Sequence, residues 1–486
     1  MTRPGVVITS RESVPARTAP TYIGALFAGG VAERGPAGVS GPHRSMSDYE
    51  RAHGARSTDY AVLYDAADAF FREGGSVLYT SRAVGPAAAV SSVTLDDGAG
   101  MSPTDAITIE AASPGAWGDD ITIDVASSSG GYTLTVKYDG ETVETSPELT
   151  SNQDAVDWAE SSAYIRVTQE SSNLPETGTT ANALTGGTDD KASITDTQWG
   201  DALDAFGSDL GPGQVTLPGV TASAQHEQLL AHAGARNRVA LLDVTDSATA
   251  ATVVSSVSSL RSNEHAGLAQ AIHPAGILPG ALSSQRRTVP YSAIQAGILA
   301  RNDSAGVLPN DPAAGDLGVA RSVIDLAQTI DPDTDLETLN DGGVTSVLNR
   351  YGSFVTYGLR SLADPDTYPL QVQFGAQRLI MELVAKAGVI AERHLFRLID
   401  GRGLRQAQFQ ADLEGMLTPY WDAPSGGLYG ATPQEAFQVN VGDSVNTPET
   451  IAAGELRAVI TLKVSNAAEV VQIEIVRVPL TTSLAA

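Results

Sequence analysis

The chain has 486 residues, 42% of them apolar, and no cysteine. It can therefore build ordinary cores, but it has no disulfide, thiolate nucleophile or Cys-ligated metal. Its 57 acidic residues outnumber 30 basic ones, a formal charge of −27, which argues against a nucleic-acid surface as its main business and makes copies repel one another at low salt.

At roughly 150 residues per domain, about three domains are expected. No apolar run approaches ~18 residues and the first residues hold no long apolar stretch, so neither a membrane helix nor a signal peptide is expected. Residues 1–20 read as an arm, with Val6, Val7 and Ile8 as a short β-prone run that cannot bury much alone. Residues 21–90 read as the first part of an α/β unit. It has a strand at Thr21 to Phe27, a short helix capped by Asp48, a helix from Asp59 to Phe71 ended by Gly74-Gly75, and a strand at Ser76 to Thr80. Residues 91–190 turn rich in Ser, Thr and Gly, with short strands at 106–110, 121–125, 132–138 and 164–167 and one helix near 153–161. This predicts a β-rich inserted domain.

Residues 191–365 alternate helix and strand. The helices are 196–206, 224–235 and 249–260, and the strands 214–217, 238–244 and 269–273; this rhythm predicts a mainly parallel sheet covered by helices. Residues 366–486 read as an α+β domain. A long helix at 376–399 carries a stripe of Leu379, Ile380, Leu383, Val384 and Ala387, with Gly388 as a possible kink, and a shorter helix holds Phe409, Leu413, Met416 and Leu417. Two runs follow, Glu455 to Val464 and Val470 to Val478. Leu456, Ile460 and Leu462 alternate with polar residues in the first, and Val471, Ile473 and Ile475 share one face of the second. A strand this near a chain end is suited to joining a neighbour's sheet.

Searches for chemistry fail in turn. None of the four lysines, Lys137, Lys191, Lys386 and Lys463, follows a glycine, so there is no Walker loop. His226-Glu227 has Leu230 where a zinc helix needs its second histidine. Ala423-Pro424-Ser425-Gly426-Gly427 lacks the first glycine of a nucleophile elbow. Asp331, Asp333 and Asp335 alternate like calcium ligands, but Leu336 and Gly342 stand where an EF-hand needs glycine and glutamate. No catalytic, cofactor or metal site is assigned, and no cofactor is expected.

Several segments in order resemble the sheath protein of contractile phage tails and related injection machines. These are Pro4 to Ile8, Gly74 to Arg82, Ser113 to Asp119, Leu184 to Asp190, Pro218-Gly219-Val220, Arg236 to Asp243, Val289 to Gly315, Leu428-Tyr429-Gly430, Glu435-Ala436-Phe437, Asn446-Thr447 and Gly454-Glu455-Leu456. The resemblance implies a multidomain α/β chain. Its parts are a central α/β sheet domain of subtilisin-like fold without a triad, a β-rich insertion facing outwards, an α+β C-terminal domain, and extended N- and C-terminal arms. It also implies a non-enzymatic subunit that polymerises helically around an inner tube and contracts to drive the tube through a target envelope. Its partners would be copies of itself in stacked, six-fold rings, the inner tube protein, the baseplate and the tail terminator, with no nucleic acid and no membrane insertion. It would reside in a virion tail assembled in the host cytoplasm. Strand exchange between subunits is expected at Val6, Val7, Ile8, Leu456, Ile460, Leu462, Val471, Ile473 and Ile475. Leu404, Arg405, Gln408 and Asp412 are expected to face the tube. The rival readings are a secreted or virion-associated hydrolase on the central domain, revived by a Ser/His/Asp set in a pocket, and a non-contractile virion or surface binding protein.

Overall fold

The structure, a computed structural model, describes residues 21–247, 249–280 and 285–473. The arm with Val6, Val7 and Ile8, and the end of the chain with Ile475, lie outside the described residues.

The chain enters β1 (Leu26–Gly30), then β2 (Val39–His43), α1 (Met46–His53), α2 (Ala61–Glu73) and β3 (Leu78–Arg82). The first strand starts five residues later than the sequence reading placed it. The cap of α1 is Ser45, whose hydroxyl accepts the Asp48 N–H, while Asp48 takes the Arg44 N–H in return. Asp48 is thus the third residue of the helix, not its cap. Gly74 ends α2 at φ 108°, which favours glycine.

The segment after β3 forms β4 (Ser92–Asp96), β5 (Asp105–Ala111), β6 (Ile121–Ser127), β7 (Tyr132–Tyr138), β8 (Glu141–Thr145), α3 (Asn152–Ala159), β9 (Ile165–Gln169) and β10 (Thr179–Ala183). These make two antiparallel sheets, ordered β10-β6-β7-β8 and β4-β5-β9. Alternate residues Ile107, Ile109, Ile121, Ile123, Val125, Leu134 and Val136 fill the space between them, the period-two pattern of half-buried strands. Pairing of Ala89 with Thr188 and Ser92 with Thr185 makes a stem that returns the chain to where it left.

Next come α4 (Asp196–Asp204), β11 (Gln214–Thr216), α5 (Ser223–Arg236), β12 (Val239–Asp243), α6 (Ala250–Val257), β13 (Ala269–His273), β14 (Gly276–Pro279), β15 (Arg286–Val289) and α7 (Tyr291–Ser304). After them follow β16 (Asp325–Leu326), α8 (Leu336–Asp341), β17 (Val344–Arg350) and β18 (Ser353–Tyr357). An eight-stranded sheet runs in the order β18-β17-β13-β12-β11-β1-β3-β2, parallel inside and antiparallel at its two edge strands. One face packs on α2, α7 and the start of the long C-terminal helix through Leu63, Phe70, Ile294, Ile298 and Phe374. The other packs on α4, α5 and α6 through Leu203, Leu229, Leu230, Val253 and Val257. Two buried layers on a mainly parallel sheet account for the burial of every residue of β12 and β13 and for the apolar run Val239 to Leu242 in β12.

The last region holds α9 (Phe374–His394), α10 (Leu404–Asp422), β19 (Phe437–Asn440) and β20 (Val459–Leu462). Leu379, Leu383 and Ile390 of α9 meet Phe409, Leu413 and Leu417 of α10. Val384, placed in the buried stripe from sequence, is instead exposed. The helix passes Gly388 and stops at His394 rather than 399. The first C-terminal run is a strand only over its four central residues, and residues 470–473 of the second are not in a strand.

Candidate assembly surfaces

The nearest approach to a catalytic constellation is buried in the central sheet. Asp243, at the end of β12, accepts the Gly219 N–H at 2.9 Å, the Ser292 N–H at 2.9 Å and the Ser292 hydroxyl at 2.6 Å. Burial pushes its carboxyl up from the usual carboxylate range, against the pull of those donors. His226 stands nearby, but its Nε2 donates to the Val220 carbonyl at 3.0 Å and its Nδ1 has no partner. The serine therefore donates straight to the carboxylate with no imidazole between them. That geometry anchors the first turn of α7, where a carboxylate also meets the positive end of the helix. It does not activate a nucleophile.

The acidic clusters have equally local roles. Asp331 and Asp335 accept main-chain N–H groups of their own turn, and Asp119 takes the Ser91 hydroxyl and the Gly187 N–H. No group of three His, Asp or Glu side chains that could hold a metal occurs among the described residues.

The C-terminal edge is built differently. β19 and β20 pair antiparallel, with Phe437 opposite Leu462 and Val439 opposite Ile460. Asn446, in the Asn-Thr-Pro turn, fixes this register: its amide donates to the Val441 and Arg457 carbonyls and accepts the Arg457 N–H, each at 2.7–2.8 Å. The Lys463 N–H reaches the Ala436 carbonyl, and the Lys463 carbonyl accepts the Tyr429 N–H. Lys463, Thr461 and Val459 thus turn their main-chain groups towards β19. By the alternation of a strand, Ile460 and Leu462 turn theirs to the opposite edge, which has no partner among the described residues. The side chains of Leu456, Ile460 and Leu462 are half-buried on the C-terminal core.

Beyond this edge the chain is fastened at three more points, Ser465, Ala467 and Glu469. The Ser465 N–H donates to the Gly427 carbonyl, and Gln373 exchanges two hydrogen bonds with Ala467. Glu469 accepts from Arg360 at 2.7 and 3.1 Å and from Asn340 at 2.7 Å. Burial acts to raise the Glu469 pKa, but these donors outweigh it and hold the carboxyl below its ordinary value. Immediately afterwards Val470, Val471 and Ile473 are 73%, 76% and 81% exposed.

The turn from α9 to α10 forms a second surface. Leu404 and Gln408 are exposed and Arg405 half-buried, whereas Asp412 is engaged by the His394 Nε2 at 2.9 Å. Sequence reasoning missed the tip itself. Phe396 and Leu398 are 97% and 90% exposed, and Phe396 holds φ 58°, a strained setting for a bulky residue. In the sequence they lie among Arg393, Arg397, Arg402 and Arg405. The signal was present in the sequence: four arginines in thirteen residues of an acidic chain, interleaved with Leu, Phe and Ile.

No protein-family model matches the chain, and no curated protein matches it. Solved structures do. A sheath tail protein from Desulfitobacterium hafniense superposes with TM-score 0.58 and 12% identity, over 90% of this chain and 93% of that one. A sheath tail protein from Listeria innocua gives 0.62 and 13%, over 88% and 90%. A chain of the anti-feeding prophage baseplate gives 0.57 and 14%, over 98% and 99%. The class the coordinates define is a multidomain α/β protein with several sheets. More particularly, the chain has the fold of the sheath tail proteins over nearly its whole length, as the sequence resemblance implied.

Proposed function

We propose that this chain is a structural subunit of a contractile tail sheath, polymerising helically around an inner tube and contracting to drive that tube through an envelope. The observation that carries the reading is the edge of β20 that has no partner among the described residues, together with the exposed Val470, Val471 and Ile473. Such an edge accepts a strand from another copy by main-chain hydrogen bonds, and a head-to-tail contact of this kind repeats without closing. Val6, Val7 and Ile8, together with Val471, Ile473 and Ile475, are the strands to be lent. Ile460, Leu462 and Leu456 belong to the sheet that receives them. The eight-stranded sheet and its helices, drawn from the α/β region at 21–90 and from residues 191–365, serve as the subtilisin-like central domain, with an arm at 1–20 before it and a C-terminal domain at 366–486 after it. Residues 91–190 face outwards.

The tip at Phe396 and Leu398, with Leu404, Arg405 and Gln408, faces the inner tube, and Asp412 acts through His394. Rings are six-fold and stacked, the baseplate and terminator bound the stack, and the tail is assembled in the host cytoplasm. The subunit is not an enzyme: the direct contact of Ser292 with Asp243 supports this reading over the hydrolase.

Negative-stain microscopy of the purified protein tests the function. Helical tubes or stacked rings are expected; a compact monomer at high protein concentration and high salt would sink the reading. Deleting residues 470–486 is expected to abolish tubes while leaving the melting temperature unchanged. Regular tubes from the truncated chain would exclude strand exchange at this end.

A further inference from the structure

A cleft of about 470 Å³ opens between α1 and the inserted sheets, and three arginines line it. Arg34 is 91% buried, as its 9% exposure gives, and its Nε and Nη1 have no hydrogen-bond partner. Its guanidinium carbon lies 5.0–5.8 Å from the ring centres of Tyr164, Tyr138 and Trp117, and its Nη2 makes only long contacts, 3.3 and 3.5 Å, to the Glu50 and Arg51 carbonyls. The rings shield the charge without neutralising it. Arg51 reaches the cleft from α1. Arg166, an exposed residue, reaches it from β9, with its Nη1 donating to the Ala159, Ser162 and Ile165 carbonyls.

The single carboxylate in the lining, Asp48, is already held by the Arg44 N–H and by Arg51. Residues 91–190 hold 18 acidic side chains and only Lys137 and Arg166 as bases, and one of those two stands here. Positive charge is thus gathered at one concave place beside a strongly acidic segment; the buried guanidinium behind it feels the Glu33 carboxylate through space but has no carboxylate hydrogen-bonded to it.

We propose that this cleft binds an oxyanion through Arg34, Arg51 and Arg166. Planar guanidinium groups converging on a cleft match carboxylate and phosphate oxygens. The oxyanion is either a free inorganic or ester phosphate or a carboxylate presented by a second copy. The second source rests on the self-assembly proposed above; the first does not.

The test uses the full-length chain, with folding verified by circular dichroism for every variant. Unpolymerised subunits are titrated with inorganic phosphate at constant ionic strength, and phosphorus NMR line width is read. Saturable broadening is expected, weakened at least ~10-fold in Arg51→Gln/Arg166→Gln. It should be largely kept in Arg51→Lys/Arg166→Lys and unchanged in the exposed-site control Arg321→Gln. In the second arm, sedimentation measures polymer yield. Normal polymer from Arg321→Gln with at least a ~10-fold loss from the double Gln variant, and no phosphate broadening, assigns the site to a neighbour's carboxylate. If phosphate does not bind and the double Gln variant behaves as wild type, whether or not wild type polymerises, the cleft is not an oxyanion site. A wild type that binds phosphate but never polymerises would overturn the sheath reading and leave the cleft standing.

Discussion

The segment that leaves β3 and the segment that leaves β20 are each fastened to the central sheet by an arginine, in contrasting ways. Arg82 is buried at the end of β3 and donates to four carbonyls: Ala32, Glu33 and Gly35 of the body and Pro114 of the inserted segment. The two-bridge stem and the Gly35 N–H on the Ser113 hydroxyl add to it. Arg360 holds the C-terminal chain through a partly exposed ion pair with Glu469, and three residues later the side chains are almost wholly in solvent. A buried cation whose donors are satisfied by main-chain oxygens resists separation, because parting them strands several polar groups at once. A partly exposed pair parts at small cost. Of the two, the inserted segment is therefore the more firmly joined to the sheet, and the C-terminal chain the more easily parted from it.

That contrast can be broken from the strong side first. Arg82→Met is expected to cost about 3 kcal/mol or more, read as a lower denaturation midpoint. An unchanged midpoint would mean the stem alone secures the joint. Acid should act on the same joint next. His53 is buried against Thr80 and the Arg34 carbonyl, and desolvation pushes its pKa down to about 3. The unfolded chain then binds the proton more readily. The stability due to the neutral ring is present above the unfolded pKa, near 6.5, and is lost as pH falls from there towards 3. The melting temperature should drop between pH 7 and 5, and His53→Gln should flatten that slope; a slope identical to wild type would remove His53 from the account.

At the weak joint, Glu469→Gln should cost at most about 1 kcal/mol, yet raise amide exchange in residues 465–469. Exchange that stays slow would mean that the Gln373 bonds to Ala467 and the Asn310 amide, which donates to the Ser465 carbonyl at 3.3 Å, suffice. Smallest of all, Phe396→Ala should shift stability by less than ~0.5 kcal/mol, since the ring touches so little of its own chain. A large loss would place it in a core rather than on a contact surface.

Much of this was legible in the sequence where periodicity was strong. β6, β7, β12, β13, α4 and α5 fall where alternation or helical spacing put them. The helix that packs the centre of the sheet did not announce itself. In α7, Tyr291, Ala293, Ile294, Ala296, Ile298, Leu299 and Ala300 are buried on every side, so no polar face exists to set a period. β17 and β18 were missed too, although their pairing closes one edge of the sheet. In the C-terminal run the alternation was real, but it extends beyond the strand. Leu456 and Val464 keep the pattern by packing on the core while only Val459–Leu462 pair fully. The oxyanion cleft could not be read from the chain, because Arg166 is brought to Arg34 and Arg51 only by the folding of the inserted segment against α1.

The outer edge of β20 has one more consequence, concerning the fidelity of whatever joins there. Main-chain hydrogen bonds carry no sequence information, so the edge itself is indifferent to the identity of an incoming strand. Discrimination falls on the two faces beside it: an apolar one continuous with Ile460 and Leu462, and an exposed one offering Val459, Thr461 and Lys463. A relative with a similar alternating end, encoded alongside this one, would meet no barrier beyond those few side chains. If strands do join at this edge, mixed polymers are the expected default, and purity would have to come from the supply of subunits rather than from the joint.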